Sequence, residues 1–180
     1  MSTIHTPRLD YADYLRDVPD YPKPGIMFKD ITPLLQDANA LASCIDDLAD
    51  LAAGLNATHI AGMESRGFLF GAPLAIKMGL GFLPIRKPGK LPWKTFAESY
   101  DLEYGQDTLE IHTDASAAGE RVLLVDDLLA TGGTAGASVK LVRRTGAEVV
   151  GCLFVVELGF LGGRQQLHGL ETRSLLNLAD

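Results

Sequence analysis

The sequence predicts an α/β fold: a central, mainly parallel β-sheet flanked by helices. Near-continuous apolar runs recur as THIAGM, LGFLPIR, RVLLV and AEVVGCLFVVE, the composition of strands buried on both faces. Segments with helical spacing lie between them. In sheets of this kind ligands bind beyond the carboxyl ends of the strands, so functional residues are expected just after the apolar runs.

In chain order, residues 1–34 are rich in proline, aspartate and aromatic side chains and read as a partly helical cap, a small hood over the sheet. Pro22, Pro24 and Gly25 forbid a continuous helix in YPKPGIMFKDITPLL, which reads as mostly irregular. Residues 38–55 read as a helix. Leu41, Ile45, Leu48 and Leu55 share a face, Asp46, Asp47 and Asp50 lie off it, and Gly54 or Asn56 serves as the stop. A strand over THIAGM, a helix over GFLFGAPLAIKM and a strand over LGFLPIR follow. Residues 95–114 break the rhythm, with two β-like arms around Gly105, a hairpin long enough to act as a mobile lid. RVLLV is then a strand and residues 134–145 a helix. Ala135, Val139 and Val142 face one way, Lys140, Arg143 and Arg144 another, with Gly146 as terminator. AEVVGCLFVVE is the last strand read from the pattern.

The 180 residues suffice for one well-filled core, so residues 1–180 are read as a single domain. A net charge of −7 argues against a general nucleic-acid partner. Cys44 and Cys152 lie in apolar segments without metal-type spacing and read as reduced core residues of a cytoplasmic protein. The N-terminus shows no apolar signal core, and no run reaches the ~18 apolar residues of a membrane helix, so no membrane association is expected. His5, His59, His112 and His168 have no spacing that demands a metal.

The informative stretch is VLLVDDLLATGGT, in which an apolar strand runs into adjacent acids, Asp126 and Asp127. Gly132 and Gly133 permit a tight turn and close approach of a ligand. A helix starting near Thr134 adds free N–H groups and its dipole, which together suit a phosphate. Ala130, Thr131, Gly132, Gly133 and Thr134 are therefore candidate phosphate-binding residues, with the Thr131 and Thr134 hydroxyls as further donors. The acids accept hydrogen bonds from sugar hydroxyls and can hold a hydrated Mg²⁺ nearby. Neither a Walker loop nor a G-x-G-x-x-G dinucleotide fingerprint is present. Read alone, the stretch specifies a phosphorylated sugar.

Other segments stay open on their residues alone. Arg66, in GMESRGFLFG, reads as a surface arginine at a helix start or as a pyrophosphate ligand. Lys87 and Lys90, in IRKPGK, form a solvated basic turn or a charge partner for a leaving group. Glu103, with Tyr104, reads as an exposed hairpin acid. Phe28 is a core anchor of the cap or an aromatic platform for a flat base.

The acidic run resembles the 5-phosphoribosyl 1-pyrophosphate (PRPP) signature of type I phosphoribosyltransferases. The segments YPKPGIMFKDITPLL, AGMESRGFLFGAPLA, IRKPGKLPWKT and SYDLEYGQDTLEIH occur in that family's order and resemble its adenine-using branch. The resemblance implies the type I phosphoribosyltransferase fold, with a small N-terminal hood and a flexible hairpin lid. It implies transfer of the phosphoribosyl group of PRPP to adenine, giving AMP and pyrophosphate, with Mg²⁺ as cofactor and a homodimer as the assembly. By the same resemblance Glu103 acts at the purine, and Ser65, Arg66, Lys87 and Lys90 meet pyrophosphate. Asp126 and Asp127 meet the ribose and its metal, and residues 130–134 the 5′-phosphate. Met27, Phe28 and Lys29 meet adenine, and Tyr104 belongs to the lid. A non-proline cis peptide between Glu64 and Ser65 is also implied. Lys29 stands where the family pattern has arginine and lacks its planar fork, which leaves a backbone contact there. The alternatives are a phosphoribosyltransferase for another base, such as hypoxanthine or orotate, and a non-catalytic PRPP-binding regulator.

Overall fold

The structure, a computed structural model, describes residues 6–101 and 105–179. Its centre is a five-stranded sheet built from β3 (His59–Met63), β4 (Gly81–Ile85), β7 (Arg121–Leu129), β8 (Glu148–Leu158) and β9 (Thr172–Leu178). The spatial order is β4–β3–β7–β8–β9, and all neighbouring pairs are parallel. Alternate residues of β7 feed two separate cores: Leu123 and Val125 on one face, Val122 and Leu124 on the other. On the first face lie α2 (Ala38–Ala52) and α3 (Arg66–Met78); on the second lie α4 (Gly133–Arg144) and a hairpin of β5 (Thr95–Asp101) and β6 (Gln106–His112). The expected parallel sheet with both faces covered is therefore what the apolar runs build.

Local signals set most element ends, and the stops of α2 and α4 act as read. Asp37 caps α2, its carboxylate accepting from the N–H groups of Asn39 and Ala40 at 2.9 Å. The chain leaves α2 through Gly54 and Asn56, both at positive φ. Helix α4 ends in Arg143 and Arg144, before Gly146 at φ 95°.

Several expectations need correction. The cap is more regular than its prolines suggest: β1 (Arg16–Pro19) and β2 (Met27–Asp30) pair antiparallel, and α1 (Thr32–Gln36) follows. The prolines and Gly25 fall in the connecting turn and at strand ends, where they break no pairing. The strand containing the acids runs on through Asp126 and Asp127 to Leu129, because β8 continues beside it in register Asp126↔Phe154 to Leu129↔Glu157. β9 was not read from sequence. It is an edge strand of mixed character, with one neighbour to satisfy and no long apolar run. The hairpin stem is docked. Leu109 and Ile111 of β6 are fully buried, Arg144 donates to the Ala97 carbonyl at 2.7 Å and covers the Phe96 ring, and Lys140 pairs with Glu98 at 2.9 Å.

Asp47 differs most from expectation. It was placed off the apolar face of α2, yet it is fully buried. The N-terminal part of the cap crosses that side of the helix, where the Tyr11 hydroxyl donates to Asp47 Oδ2 at 2.5 Å, the Arg8 N–H donates to the same oxygen at 2.8 Å, and the Arg8 guanidinium meets Oδ1. Removing Asp47 leaves the buried Tyr11 hydroxyl without its acceptor, while half-exposed Arg8 keeps Asp50, so Asp47→Ala is expected to lower unfolding stability by about 2 kcal/mol in urea titrations. The neighbouring Asp46→Ala, which breaks only an exposed pair with Lys77, is expected to leave the midpoint unchanged.

Candidate active site

The site forms where β3 stops and β7 does not. The last paired residues of these strands are Gly62 and Val125, so Asp126 onward has β8 on one side and an open notch on the other. A cleft of about 280 Å³ fills that notch. Helix α3 starts against its wall so closely that a Cβ on Gly67 would stand 2.8 Å from the Val125 carbonyl and 2.9 Å from Asp126 Oδ1. Glycine at this position lets Arg66 reach the acids. Arg66 Nε lies 3.1 Å from Asp127 Oδ2. Asp127 is only 2 % exposed, and its Oδ2 has no aligned hydrogen-bond partner among the described residues despite the ion pair. Asp126 Oδ1 accepts from the Asp127 N–H at 2.9 Å.

The electrostatics of the pair follow from this placement. Burial raises the Asp126 carboxyl well above the ordinary carboxylate range, and Asp127 adds like-charge repulsion. Burial also raises Asp127, with Arg66 opposing the shift. A buried acceptor oxygen with a nearby cation but no aligned hydrogen bond is suited to a ligand hydroxyl or to water around a cation.

At the other side of the notch the chain turns through residues 130–132 into α4. Gly132 is the N-cap residue at φ 85°, a conformation open to glycine, and no side chain caps the helix. The free N–H groups of the first turn therefore border the cleft, with Thr131 and Thr134 beside them. The Thr134 hydroxyl donates to the Tyr100 hydroxyl at 3.1 Å, which in turn donates to Asp107 at 3.3 Å.

Beyond β3, the Glu64–Ser65 peptide is cis, as the resemblance implied. Glu64 accepts from the Lys87 N–H at 2.8 Å and from Arg86 Nε at 3.3 Å, and that backbone bond, then Arg86, holds its carboxyl below the ordinary range against burial. Arg86 is thereby committed to structure, while Lys87 extends into the cleft and pairs with Asp107 of β6. Burial works against the charge on Lys87, but Asp107 outweighs it and the pKa is raised. Lining acids Glu64, Asp107, Asp126 and Asp127 outnumber the lining cations Arg66 and Lys87.

A family model for the phosphoribosyl transferase domain matches residues 27–166. An adenine phosphoribosyltransferase of Thermobifida fusca is 57% identical over 162 residues, covering 90% of this chain and 92% of its own. The chain belongs to the adenine phosphoribosyltransferase family. A solved family structure from Thermoanaerobacter pseudethanolicus superposes with a TM-score of 0.91 at 53% identity, over 93% of this chain and 97% of that one. The yeast enzyme, solved with an imino-altritol bisphosphate and adenine, gives a TM-score of 0.86 at 40% identity, over 92% and 96%.

The cleft gathers most of the residues singled out from sequence: Ser65, Arg66 and Lys87; Asp126 and Asp127; Ala130, Thr131, Gly132, Gly133 and Thr134. Lys90 is not brought in. It is exposed outside the lining, and its carbonyl accepts from Arg86 at 3.1 Å. Met27, Phe28 and Lys29 also lie outside the lining, on β2. Phe28 approaches through Arg66, whose guanidinium carbon is 5.5 Å from the ring centroid, and Tyr21 packs edge-on to it at 5.1 Å. The Lys29 ammonium pairs with Asp17 at 2.6 Å, directly across the β1–β2 ladder. Glu103 and Tyr104 lie outside the described residues. Sequence reading missed Glu64, Tyr100 and Asp107 in the cleft. Tyr100 and Asp107 stand directly opposite each other across the β5–β6 ladder, a register that arms read as centred on Gly105 do not give.

The raised carboxyls set a pH-dependent prediction. The folded protein retains protons here that the unfolded chain releases. The stabilisation is therefore full below the ordinary carboxylate range and lost as pH rises through the raised folded value. Asp126→Asn keeps an oxygen for the Asp127 N–H and removes the charge. It is expected to raise Tm at about pH 8 and to leave it unchanged near pH 3, while lowering kcat/KM for PRPP. A Tm below wild type at both pH values would contradict this.

Proposed function

We propose that the cleft transfers the phosphoribosyl group of PRPP to adenine, giving AMP and pyrophosphate in purine salvage. The observation that carries this reading is the joining, in one cleft, of an anion-binding helix turn, an adjacent acid pair whose buried Asp127 Oδ2 lacks an aligned hydrogen bond, and the cations Arg66 and Lys87. The residue 130–134 turn anchors the 5′-phosphate. Asp126 and Asp127 accept from the ribose hydroxyls, orienting the sugar so that C1 faces the incoming base. The C1–oxygen bond to pyrophosphate breaks as a purine ring nitrogen forms its bond to C1, and the leaving oxygens take up negative charge beside Arg66 and Lys87. The base loses its ring proton in the same exchange, and Glu103 on the hairpin is the proposed acceptor. Phe28, near Arg66, supplies the aromatic face for adenine. With Lys29 held by Asp17, the adenine edge is left to backbone groups of residues 27–29.

The lining fits Mg²⁺. Its acids outnumber its cations, its donors are hard oxygens, and Asp127 Oδ2 has no aligned hydrogen bond among the described residues. Among the described residues no three His, Cys, Asp or Glu side chains converge as a metal cage, which supports an ion held mainly by PRPP oxygens and water near Asp126 and Asp127. Mg²⁺ would supply charge neutralisation for the pyrophosphate. A homodimer is supported by apolar side chains left in solvent: Leu69 and Ile76 on one face of α3, Ile76 at 82 % exposure, and Trp93 at 62 %. Buried free Cys44 and Cys152 support a cytoplasmic location. No helix among the described residues is long and apolar enough to cross a membrane.

A coupled pyrophosphate-release assay with PRPP and Mg²⁺, run in parallel on adenine, hypoxanthine, guanine and orotate, is expected to show release with adenine. Silence with adenine beside release with another base would establish the alternative specificity, and silence with all would favour a PRPP-binding regulator. Glu103→Gln is expected to cut kcat by about a hundredfold with PRPP affinity nearly unchanged; wild-type turnover would exclude its role at the base.

A further inference from the structure

The segment after β8 contains a charged pair outside the cleft. Glu157 is 3 % exposed, and both its oxygens are engaged: Oε1 accepts from Arg164 Nε at 2.6 Å, and Oε2 from the same guanidinium at 2.6 Å and from the Ser174 hydroxyl at 2.9 Å. Arg164 also donates to the Thr172 carbonyl at 2.7 Å. The guanidinium thus clasps a short 3₁₀ segment, Gly163–Leu167, to the ends of β8 and β9. Leu167, buried in the second core, holds the other end of that segment.

The clasped segment lies directly behind the proposed phosphate loop. A Cβ on Gly163 would stand 2.2 Å from the Ala130 carbonyl and 3.0 Å from Leu129 Cδ1. A Cβ on Gly132 would stand 2.4 Å from the Gly163 carbonyl and 3.0 Å from Gln166 Cβ. The backbones are in contact, so the loop conformation depends on where the segment is held. Leu129, the last β7 residue before the loop, is in register with Glu157 itself. The carboxylate that receives Arg164 is therefore on β8, directly beside the β7 residue that leads into the loop.

We propose that Arg164 and Glu157 are a positioning pair for PRPP: their bidentate ion pair sets the residue 130–134 loop by pressing Gly163 against Ala130 and Gly132. The proposal rests on the assignment of that loop to the 5′-phosphate. Neither residue touches the substrate. They hold the helix-turn N–H groups in the geometry an anion requires, and misplacing such donors by a fraction of an ångström weakens binding of the group they orient.

Initial-rate kinetics with both substrates varied test this, on variants whose folded fraction is first measured by thermal melting. Arg164→Ala is expected to raise KM for PRPP about tenfold with KM for adenine changed less than about twofold. Arg164→Lys, which keeps the charge without the fork, is expected to recover part of the loss, and Glu157→Gln to shift KM in the same direction by less. A Thr131→Ala, Thr134→Ala double variant reports on the loop itself and is expected to raise KM for PRPP. If it does and the Arg164 and Glu157 variants lower only Tm, the positioning pair is refuted. If it does not, the loop assignment fails and the proposal with it. Should Arg164→Ala not fold, Arg164→Lys and Glu157→Gln decide: an unchanged KM for PRPP in both refutes the pair.

Discussion

Adjacent carboxylates at the open end of β7 are the constraint around which the rest of the site is arranged. Asp126 and Asp127 are held where water is scarce and repel each other, a placement that opposes folding while both are charged. The fold limits that penalty locally. β8 continues past β3 to satisfy the strand backbone, Gly67 lets α3 approach, and Arg66 sets a positive charge beside Asp127. None of these neighbours supplies Asp127 Oδ2 with an aligned donor. That oxygen, ion-paired to Arg66 without an aligned hydrogen bond, fits ligand hydroxyls in the proposed reaction, so the electrostatic cost and the function share one cause.

Cations divide by role according to what reaches them. Arg86 is taken by Glu64, Arg121 by Glu148 and the carbonyls of Leu55 and Asn56 beyond α2, Arg173 by Glu171 and the Leu51 carbonyl, and Arg164 by Glu157. Arg66 and Lys87 instead line the cleft, each beside one acid. A polyanionic substrate thus meets a cleft with more acids than bases. This is why a divalent cation belongs in the proposed mechanism and why sequence-level counts of basic residues say little about the site.

Much of the fold was legible because it rests on local signals: apolar runs for β3, β7 and β8, Gly54 and Asn56 beyond α2, and the arginines and Gly146 that close α4. The phosphate turn and acid pair were legible because they are contiguous, and the family segments carried the adenine-side assignment. What escaped was set by pairing at a distance. The β1–β2 ladder joins segments across a proline turn, β9 depends on β8 for its only neighbour, and Asp47 is buried by Arg8 and Tyr11 from far upstream.

By itself, the sequence determined the parallel α/β class, the glycine turn proposed to hold phosphate and the acid pair, since each depends on residues within a few positions of one another. Tertiary structure alone decided that Lys87 enters the cleft while Lys90 and Arg86 do not, that Lys29 is spent on Asp17, and that Tyr100 and Asp107 line the site. It also decided that Gly163 backs the phosphate loop. The reason is physical: which of several similar charges meets the substrate depends on which ones the packing has already paired, and packing joins residues that the chain keeps apart.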